Sequence, residues 1–383
     1  MTAPRDYDAI IVGLGAMGSA AAYHLATRGL RVLGLDRYAP PHTLGSTHGR
    51  TRIIREAYYE HPCYVPLVQR AYELWATLEK TAGETLFIKT GGLMIGPPEG
   101  TLFAGALRSA QSHGLPYTVL EPDQVHRRYR GFRVPEGSMA LHEPRAGLLL
   151  PERIVELHLA LAARAGAELR TGVTVTHWEA GDDGVRVETD AGTMRGRTLI
   201  LAAGPWLPSL VPDLDLPLEV ERQLFHWFEP SGHPEWYDAA HSPISLIEYS
   251  GDRLFATFPN VGHGVKAGIH HEGATIDDPD APRAPATEAE GAEIRELLAR
   301  YLPEAAGRIL DRATCVYTNT PDHDFLLDRH PAHANVILAS PCSGHGFKFS
   351  SAIGEILADL VTNGGSELDL RPFALSRFEP QPR

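Results

Sequence analysis

The chain has 383 residues, of which 43% are hydrophobic and 22% are charged, and its formal net charge is −13. This length and composition are typical of a globular protein with two closely packed domains, and no apolar run approaches the roughly 20 residues that a membrane span needs. A nucleic-acid-binding surface would require a basic stripe, so we expect neither nucleic acid nor a membrane as a partner.

The cysteines and histidines indicate the redox compartment of the protein and whether it binds a metal. Three widely spaced cysteines (Cys63, Cys315 and Cys342) suit a reducing compartment and do not form a zinc motif. The 19 histidines include no HExxH, so we expect no metal. Residues 1–8 run directly into the first predicted strand, which leaves no room for a signal peptide, and we expect a cytoplasmic protein.

The first 36 residues predict a βαβ unit. A buried strand is expected over 8–14, a helix over 17–28, and a second strand over 31–35 that ends at Asp36. The intervening GxGxxG motif is formed by Gly13, Gly15 and Gly18. In such a motif the first glycine permits a tight turn, the second allows a pyrophosphate to approach the helix N-terminus, and the third allows close helix–strand packing.

Asp36 lies about 20 residues beyond the motif, where an acidic side chain can accept a hydrogen bond from a ribose hydroxyl. With strand, helix, second strand and acidic residue all in place, the unit predicts a dinucleotide site. A tight turn without a ligand is the alternative. The motif alone does not distinguish FAD from NAD.

Hydrophobic periodicity predicts the later elements. Helices are expected over 59–83, 101–113, 122–128, 148–165, 287–301 and 347–363, and strands over 173–178, 184–189, 197–202, 221–228, 253–258 and 335–340. The acidic, Pro/Ala-rich stretch 272–290 predicts a surface loop. Since strands that could join the first βαβ unit occur at both ends of the chain, we expect the nucleotide-binding domain to be discontinuous.

Lysine usage singles out two positions. Only four of the 35 basic side chains are lysines, at positions 80, 89, 266 and 348. A lysine that persists in such a sequence is a candidate for a role that needs a compact ammonium. Lys266 and Lys348 are such candidates, with chance as the alternative. Residues 40–55 form a small-residue loop whose Ser46, His48, Arg52 and Arg55 suit a pyrophosphate and a flavin edge, although an exposed basic loop is also possible.

With this loop, the sequence resembles the monomeric sarcosine oxidase and N-methyltryptophan oxidase family over nearly its whole length. The matching motifs are GxGxxG, Pro-Pro-His…Gly-Ser…His-Gly…Thr-Arg-Ile-Ile-Arg (40–55), Tyr64-Val65-Pro66-Leu67, Lys89-Thr90-Gly91, Ala203-Gly204-x-Trp206, Cys315-x-Tyr317-x-x-x-Pro321-x-x-Asp324-Phe325, Ser343-Gly344-His345-Gly346-Phe347-Lys348-Phe349 and Arg371-Pro372-Phe373-x-x-x-Arg377-Phe378.

The resemblance implies a mixed α/β fold. A Rossmann-like FAD-binding domain of the glutathione-reductase type is expected over 1–85, 145–217 and 312–383. A substrate domain with an antiparallel or mixed sheet is expected over 86–144 and 218–311. The resemblance also implies a monomer whose FAD is attached covalently, as 8α-S-cysteinyl FAD, to Cys315.

The same resemblance implies roles for individual residues. Arg55 and Lys348 match the clamp for the substrate carboxylate, and Lys266 matches the lysine that assists reduction of O2. Arg52, His270 and Tyr317 match further residues of the catalytic site, and His345 and position 255 match substrate-binding residues. Position 255 is Phe where the family commonly has Tyr. The expected cofactor-binding residues are Gly13, Gly15, Gly18, Asp36, Ser46, His48, Arg52, Val173, Gly204, Trp206, Cys315, Gly344, Gly346, Phe347 and Lys348.

The implied reaction is oxidation of a secondary amino acid, such as sarcosine, at the C–N bond. The resulting imine hydrolyses to formaldehyde and the primary amino acid, and O2 is reduced to H2O2. The amino acid and O2 are then the expected partners. The closest alternative is a related flavoenzyme that oxidises a cyclic imino acid such as pipecolate or proline, or a glycated amino acid. An NAD-dependent dehydrogenase and a flavin-binding sensor are more distant alternatives.

Overall fold

A computed structural model describes residues 6–378. In chain order the strands are β1 (Tyr7–Val12), β2 (Val32–Asp36), β3 (Arg52–Ile54), β4 (Phe87–Lys89), β5 (Gly92–Gly96), β6 (Thr118–Leu120), β7 (Met139–Glu143), β8 (Gly147–Leu149), β9 (Glu168–Thr171), β10 (Val175–Gly181), β11 (Gly184–Thr189), β12 (Gly192–Leu201), β13 (Glu219–Phe228), β14 (Ile244–Ser250), β15 (Arg253–Phe258), β16 (Val265–His270), β17 (Ile309–Asn319), β18 (Leu326–His330) and β19 (His333–Ser340).

The α-helices are α1 (Ala16–Thr27), α2 (Tyr64–Ala82), α3 (Thr101–Ser112), α4 (Pro122–Arg128), α5 (Pro151–Arg164), α6 (Leu207–Leu210), α7 (Gly291–Tyr301) and α8 (Ser350–Thr362). Among residues 6–378, none of these helices has the length and apolar character to cross a membrane.

The first sheet carries the N-terminal βαβ unit. β1 lies between β2 and β12 and is parallel to both, and β12 also pairs in parallel with β19. β9 extends this sheet beyond β2, while β10 and β11 add an antiparallel hairpin at the other side of β12. Helix α1 packs against α5 and α8. This arrangement confirms the predicted Rossmann-like part of the fold.

The second sheet is mostly antiparallel, with the strand order β17-β13-β16-β15-β14-β5-β7-β6. Its one parallel pair joins β14 to β5. A separate small sheet has the order β3-β8-β4. The two large sheets and their helices together form the mixed α/β architecture that the sequence predicts.

Four predicted helices begin later than expected, among them α7 at Gly291 rather than 287 and α8 at Ser350 rather than 347. The helix predicted over 59–83 begins at Tyr64, because Pro62 disfavours a helical conformation at the residue before it. The helix predicted over 148–165 begins at Pro151, and the apolar residues just before it form β8 instead.

The structure bears on one predicted domain boundary. Residue 312 falls inside β17, and this strand pairs along its whole length with β13 of the second sheet. We therefore propose that the final segment of the FAD-binding domain begins after Asn319. The other predicted domain boundaries remain a proposal.

Candidate active site

A deep cavity lies between the first and second sheets. Most of the residues that the sequence predicts for the site line it: Gly13, Gly15, Asp36, Ser46, Arg52, Arg55, Val173, Gly204, Trp206, His270, Tyr317, Gly344, His345, Gly346, Phe347 and Lys348. Five predicted residues are not part of its lining, namely Gly18, His48, Phe255, Lys266 and Cys315. The structure thus brings together residues from the whole length of the chain.

The nucleotide end of the cavity is built by the turn between β1 and α1. Gly13 has a φ of +92°, and a Cβ there would lie 2.4 Å from the Ala202 carbonyl oxygen. A Cβ on Gly18 would lie 1.8 Å from the Gly13 carbonyl oxygen, so only glycine permits this close packing. At Gly15 the nearest atom to a Cβ is 3.8 Å away, which leaves the helix N-terminus open to a pyrophosphate.

Asp36 closes the same end at the C-terminus of β2. Its two carboxylate oxygens accept hydrogen bonds from the backbone amides of Leu14 and Tyr38, each at 2.7 Å. Burial raises the pKa of Asp36, although these two amide bonds oppose the shift. The carboxylate therefore fixes the glycine turn and still faces the cavity, where a ribose would lie.

One face of the second sheet forms the opposite wall. Side chains alternate along a strand, so Lys266 and His270 of β16 share a face, as do Cys315 and Tyr317 of β17. Phe258 of β15 is the cross-strand partner of Lys266, so its side chain lies on this same face of the sheet. This alternation explains why these predicted residues converge although they come from separate strands.

The same alternation corrects the prediction for Phe255. Phe255 is fully buried and packs in the core on the other side of the sheet, with Ile247 as its partner in β14. Its neighbours on β15, Ala256 and Phe258, line the cavity instead. The expected contact between position 255 and substrate is therefore wrong, and Ala256 takes that place in the wall.

Arg55 and Lys348 both line the cavity, and both contact Tyr58. Arg55 donates two hydrogen bonds from Nη2 to the Glu60 carboxylate, at 2.7 and 2.6 Å, and its guanidinium lies 4.2 Å from the Tyr58 ring centroid. Lys348 Nζ donates to the His345 carbonyl oxygen at 2.7 Å and to the Tyr58 hydroxyl at 3.1 Å.

The protonation of this pair follows from burial and charge. Burial, reinforced by Arg55 and opposed by Glu60, lowers the pKa of Lys348 to about 7. Burial alone would raise the pKa of Glu60, but Arg55, His345 and Lys348 together hold it below its ordinary value. Two cations with one carboxylate between them form a site that a substrate carboxylate can share.

Arg52 links the cavity to Cys315. Its Nη2 donates to the Ser46 carbonyl oxygen at 2.9 Å and lies 3.6 Å from the Cys315 sulfur. The Ser46 hydroxyl is buried and has no hydrogen-bond partner within the described residues, nor has His48 Nε2. Cys315 is itself buried directly behind the wall. Unsatisfied polar atoms beside a cation and a thiol fit a polar cofactor edge at this point.

Lys266 is buried behind the aromatic part of the wall. Its Nζ donates to the carbonyl oxygens of Gly49 and Thr51, both at 2.8 Å, and lies 4.1 Å from the ring centroid of Phe225, a wall residue. Burial, followed by the nearby Arg52, lowers its pKa well below the usual value. Its Nζ also lies 4.3 Å from the ring centroid of Phe258, so this side chain contacts two aromatic rings of the cavity lining.

His270 and Tyr317 meet on the wall. His270 Nδ1 and the Tyr317 hydroxyl are 3.1 Å apart, within hydrogen-bonding distance. His345, by contrast, has both ring nitrogens engaged, because Nδ1 lies 2.6 Å from the Tyr58 hydroxyl and Nε2 lies 3.0 Å from the His323 carbonyl oxygen. Burial lowers the pKa of both histidines, so both are neutral near pH 7.

Several lining residues were not predicted from the sequence. They are Tyr59, Glu60, Leu246, Ala256 and Asp280. An acidic residue five positions after Arg55 is a signal for Glu60, since a buried guanidinium needs a partner. Asp280 accepts hydrogen bonds from Arg37 at 2.7 Å and from Trp206 Nε1 at 2.8 Å, which ties the 272–290 loop to the cavity rim.

Comparison with known proteins defines the class. The family model described as "FAD dependent oxidoreductase" (DAO) matches residues 8–360. The chain belongs to this family of FAD-dependent oxidoreductases.

Individual relatives show the similarity in more detail. The chain is 40% identical to monomeric sarcosine oxidase from Streptomyces avermitilis, over 94% of each chain. It is 37% identical to N-methyl-L-tryptophan oxidase from Yersinia pestis, over 97% of this chain and 100% of that one. These matches confirm the predicted resemblance. Among solved structures, the Tyr258Phe mutant of the amino acid oxidase NikD is similar with a TM-score of 0.85 and 26% identity, over 97% of each chain.

Proposed function

We propose that this protein is an oxidase of N-methyl amino acids. The observation that carries the proposal is that one cavity is lined both by two cations suited to a carboxylate, Arg55 and Lys348, and by a glycine turn suited to a dinucleotide. The relatives named as sarcosine and N-methyltryptophan oxidases support the same substrate class. The products would be the primary amino acid, formaldehyde and H2O2.

The protein's own part in this reaction is binding and orientation. The clamp holds the substrate carboxylate, with Arg55 offering a planar fork and Lys348 a point charge. The cations Arg52, Arg55 and Lys348 disfavour an ammonium in the cavity and so favour the neutral amine, which is the reactive form. Bound FAD would supply the oxidising power, by accepting two electrons and a hydrogen from the substrate.

We further propose that FAD is attached covalently to Cys315 and that the enzyme acts as a monomer. Cys315 lies on the same face of β17 as the cavity-lining Tyr317, and the Arg52 guanidinium lies 3.6 Å from its sulfur. The three free thiols in the described chain fit the cytoplasmic location that the sequence predicts.

Replacing Cys315 by alanine should abolish covalent attachment. FAD should then be released when the Cys315→Ala protein is denatured in acid, whereas the wild-type chain should keep its yellow colour and flavin fluorescence on a denaturing gel. Cys342→Ala is the matched control, since Cys342 also lines the cavity but is not a predicted attachment site. Colour that stays with the Cys315→Ala chain would contradict the assignment.

Ala256 should set the size of the substrate side chain. It lies between Leu246 of β14 and Gly268 of β16 in the strand register, so the wall has a small side chain at Ala256 and none at its neighbour on β16. Filling this space in the Ala256→Phe variant should lower kcat/KM for N-methylphenylalanine at least about 10-fold, since a steric change in an apolar pocket has this order of effect.

Sarcosine provides the internal control for that variant, because it has no side chain to collide with the new ring. Its kcat/KM should change less than 3-fold or so on the same scale of effects. An equal loss for both substrates would show that Ala256 does not contact the substrate side chain.

The proposed function is tested by anaerobic titration of the holoenzyme, following flavin absorbance. We expect bleaching by an N-methyl amino acid, with recovery in air and release of H2O2. Bleaching only by a cyclic imino acid or a glycated amino acid would move the protein to a related amine oxidase. A flavin that no amine reduces would refute the proposal.

A further inference from the structure

A cluster of ionisable side chains lies directly behind His270. We call it the histidine cluster, and it consists of His271, His323 and Glu221. The His270 and His271 ring centroids are 4.1 Å apart, and those of His271 and His323 are 4.2 Å apart. His270 lines the cavity and His323 is exposed to solvent, so the three rings form a continuous row from the cavity to the surface.

Glu221 provides a fixed negative charge beside this row. It is buried, and its carboxylate accepts hydrogen bonds from Gln223 Nε2 at 2.6 Å, Asn319 Nδ2 at 2.7 Å and the Gly273 amide at 2.6 Å. His271 Nδ1 lies 3.4 Å from Glu221 Oε2, within ion-pair distance. The buried carboxylate, held by three donors, therefore lies directly beside the row of rings.

The backbone at the two outer histidines is unusual. His271 and His323 both adopt left-handed conformations, with φ of +58° and +59°. Side chains other than glycine rarely occupy this region unless the surrounding structure holds them there. The fold therefore maintains this close pair of rings against a local conformational cost.

The proposed reaction creates a need for such a row. An N-methyl amino acid is an ammonium ion in neutral water, but the neutral amine is the form that is oxidised, so one proton must leave the closed cavity in each turnover. Near the clamp, Glu60 is paired with Arg55, and both ring nitrogens of His345 are engaged. His270 uses only Nδ1, toward Tyr317, which leaves Nε2 to accept a proton.

We propose that His270, His271 and His323 form a proton outlet from the substrate amine to solvent, with Glu221 stabilising the charge in transit. The inference rests on the proposed oxidase function. The substrate N–H bond breaks, and its proton binds to His270 Nε2. The charge then passes to His271 and His323, through ordered water where the rings are not directly bonded, and finally to a buffer base. No electrons move in this step, and each imidazole returns to its neutral form.

The charged surroundings favour movement in this direction. Burial, followed by repulsion from His271, His345, Lys348 and Arg55, lowers the pKa of His270 well below its ordinary value, so a proton received there is readily passed on. At the outer end, burial lowers the pKa of His323 and His271 adds to the effect, while Glu221, Asp322 and Asp324 oppose it. Tyr317 also faces the row, and burial raises its pKa above the ordinary value, which keeps it protonated.

The test is a stopped-flow measurement with the anaerobic holoenzyme and sarcosine, which records flavin bleaching and, through an indicator dye in weak buffer, proton release. In the His271→Asn and His323→Asn variants we expect both rates to fall about 10-fold or more, as for loss of a proton-transfer group. Added imidazole should restore them. Asparagine tolerates left-handed backbone, so the fold should persist.

His177→Asn is the matched control, because His177 is exposed on β10. Its rates should equal those of the wild type, with no response to imidazole. Unchanged proton release in His271→Asn, or a loss that imidazole does not restore, would overturn the outlet while leaving the oxidase proposal intact. A wild-type flavin that no N-methyl amino acid bleaches would refute the oxidase function itself, and the outlet with it.

Discussion

Replacing Lys266 by methionine should slow reoxidation of the reduced holoenzyme by O2 on the order of 10²-fold or more, the loss typical when a preorganised charge next to a developing anion is removed. Transfer of an electron to O2 creates negative charge, and the Lys266 ammonium is held by two carbonyl oxygens immediately behind Phe225. Stopped-flow reoxidation of the substrate-reduced enzyme measures the effect directly.

The pH dependence of the reoxidation rate gives a second, independent test of the role of the Lys266 cation. Burial lowers the pKa of Lys266 well below its usual value, so the cation is present at low pH and is lost as pH rises through that lowered pKa. Wild-type reoxidation should therefore slow with rising pH, and the Lys266→Met variant should not show this slope. Lys80→Met, which alters an exposed residue of α2, is the control. Reoxidation of Lys266→Met at the wild-type rate would exclude the role.

Removing the guanidinium of Arg55 should weaken substrate binding on the order of 10²-fold, since a bidentate arginine contributes two charge-assisted hydrogen bonds. The Arg55→Met variant should show a raised KM for sarcosine, and a simple carboxylate such as acetate should perturb its flavin spectrum only at much higher concentration. Arg153→Met is the matched control, because Arg153 pairs with Glu84 at the surface.

Lys348 gives the clamp a pH dependence of its own. With a pKa near 7, its ammonium attracts a carboxylate below that pH and loses its charge as the pH rises through it. Acetate binding to the wild type should thus weaken above about pH 7, and this trend should vanish in Lys348→Met.

Arg55 is buried with Glu60, so the flavin spectrum and the Tm of Arg55→Met must first be shown to match those of the wild type. Unaltered acetate binding in both variants would contradict the clamp.

The nucleotide end of the site was predictable because its chemistry is local. Gly13, Gly15, Gly18 and Asp36 lie within one βαβ unit, where close packing requires glycine at Gly13 and Gly18 and the Asp36 carboxylate binds the turn itself. Strand β19 was similarly predicted, because its buried part, residues 336–340, is a nearly continuous apolar run. The predicted first turns of α2 and α5 failed where a proline, for α2, and pairing into β8, for α5, outweighed helical periodicity.

The substrate end of the site was harder to predict. It depends on which side chains of several strands face the cavity, and these strands are distant in sequence. Phe255 and Ala256 are both apolar, and nothing in the hydrophobic pattern of β15 tells which one faces the cavity. The register with Leu246 and Gly268 decides it. In the same way, nothing in the sequence distinguishes His271 from an ordinary half-buried histidine. Only the fold places its ring between those of His270 and His323.

The position of Cys315 has a further consequence for folding. The glycine turn belongs to the first sheet, whereas β17 forms the edge of the second, so a cofactor held by one and bonded to the other would act as a cross-link between the two halves. After unfolding, such a cofactor would remain tethered to the chain, and its recapture would become intramolecular. The melting temperature of the linked enzyme would then be independent of dilution, whereas an enzyme with freely dissociating FAD would lose stability as it is diluted.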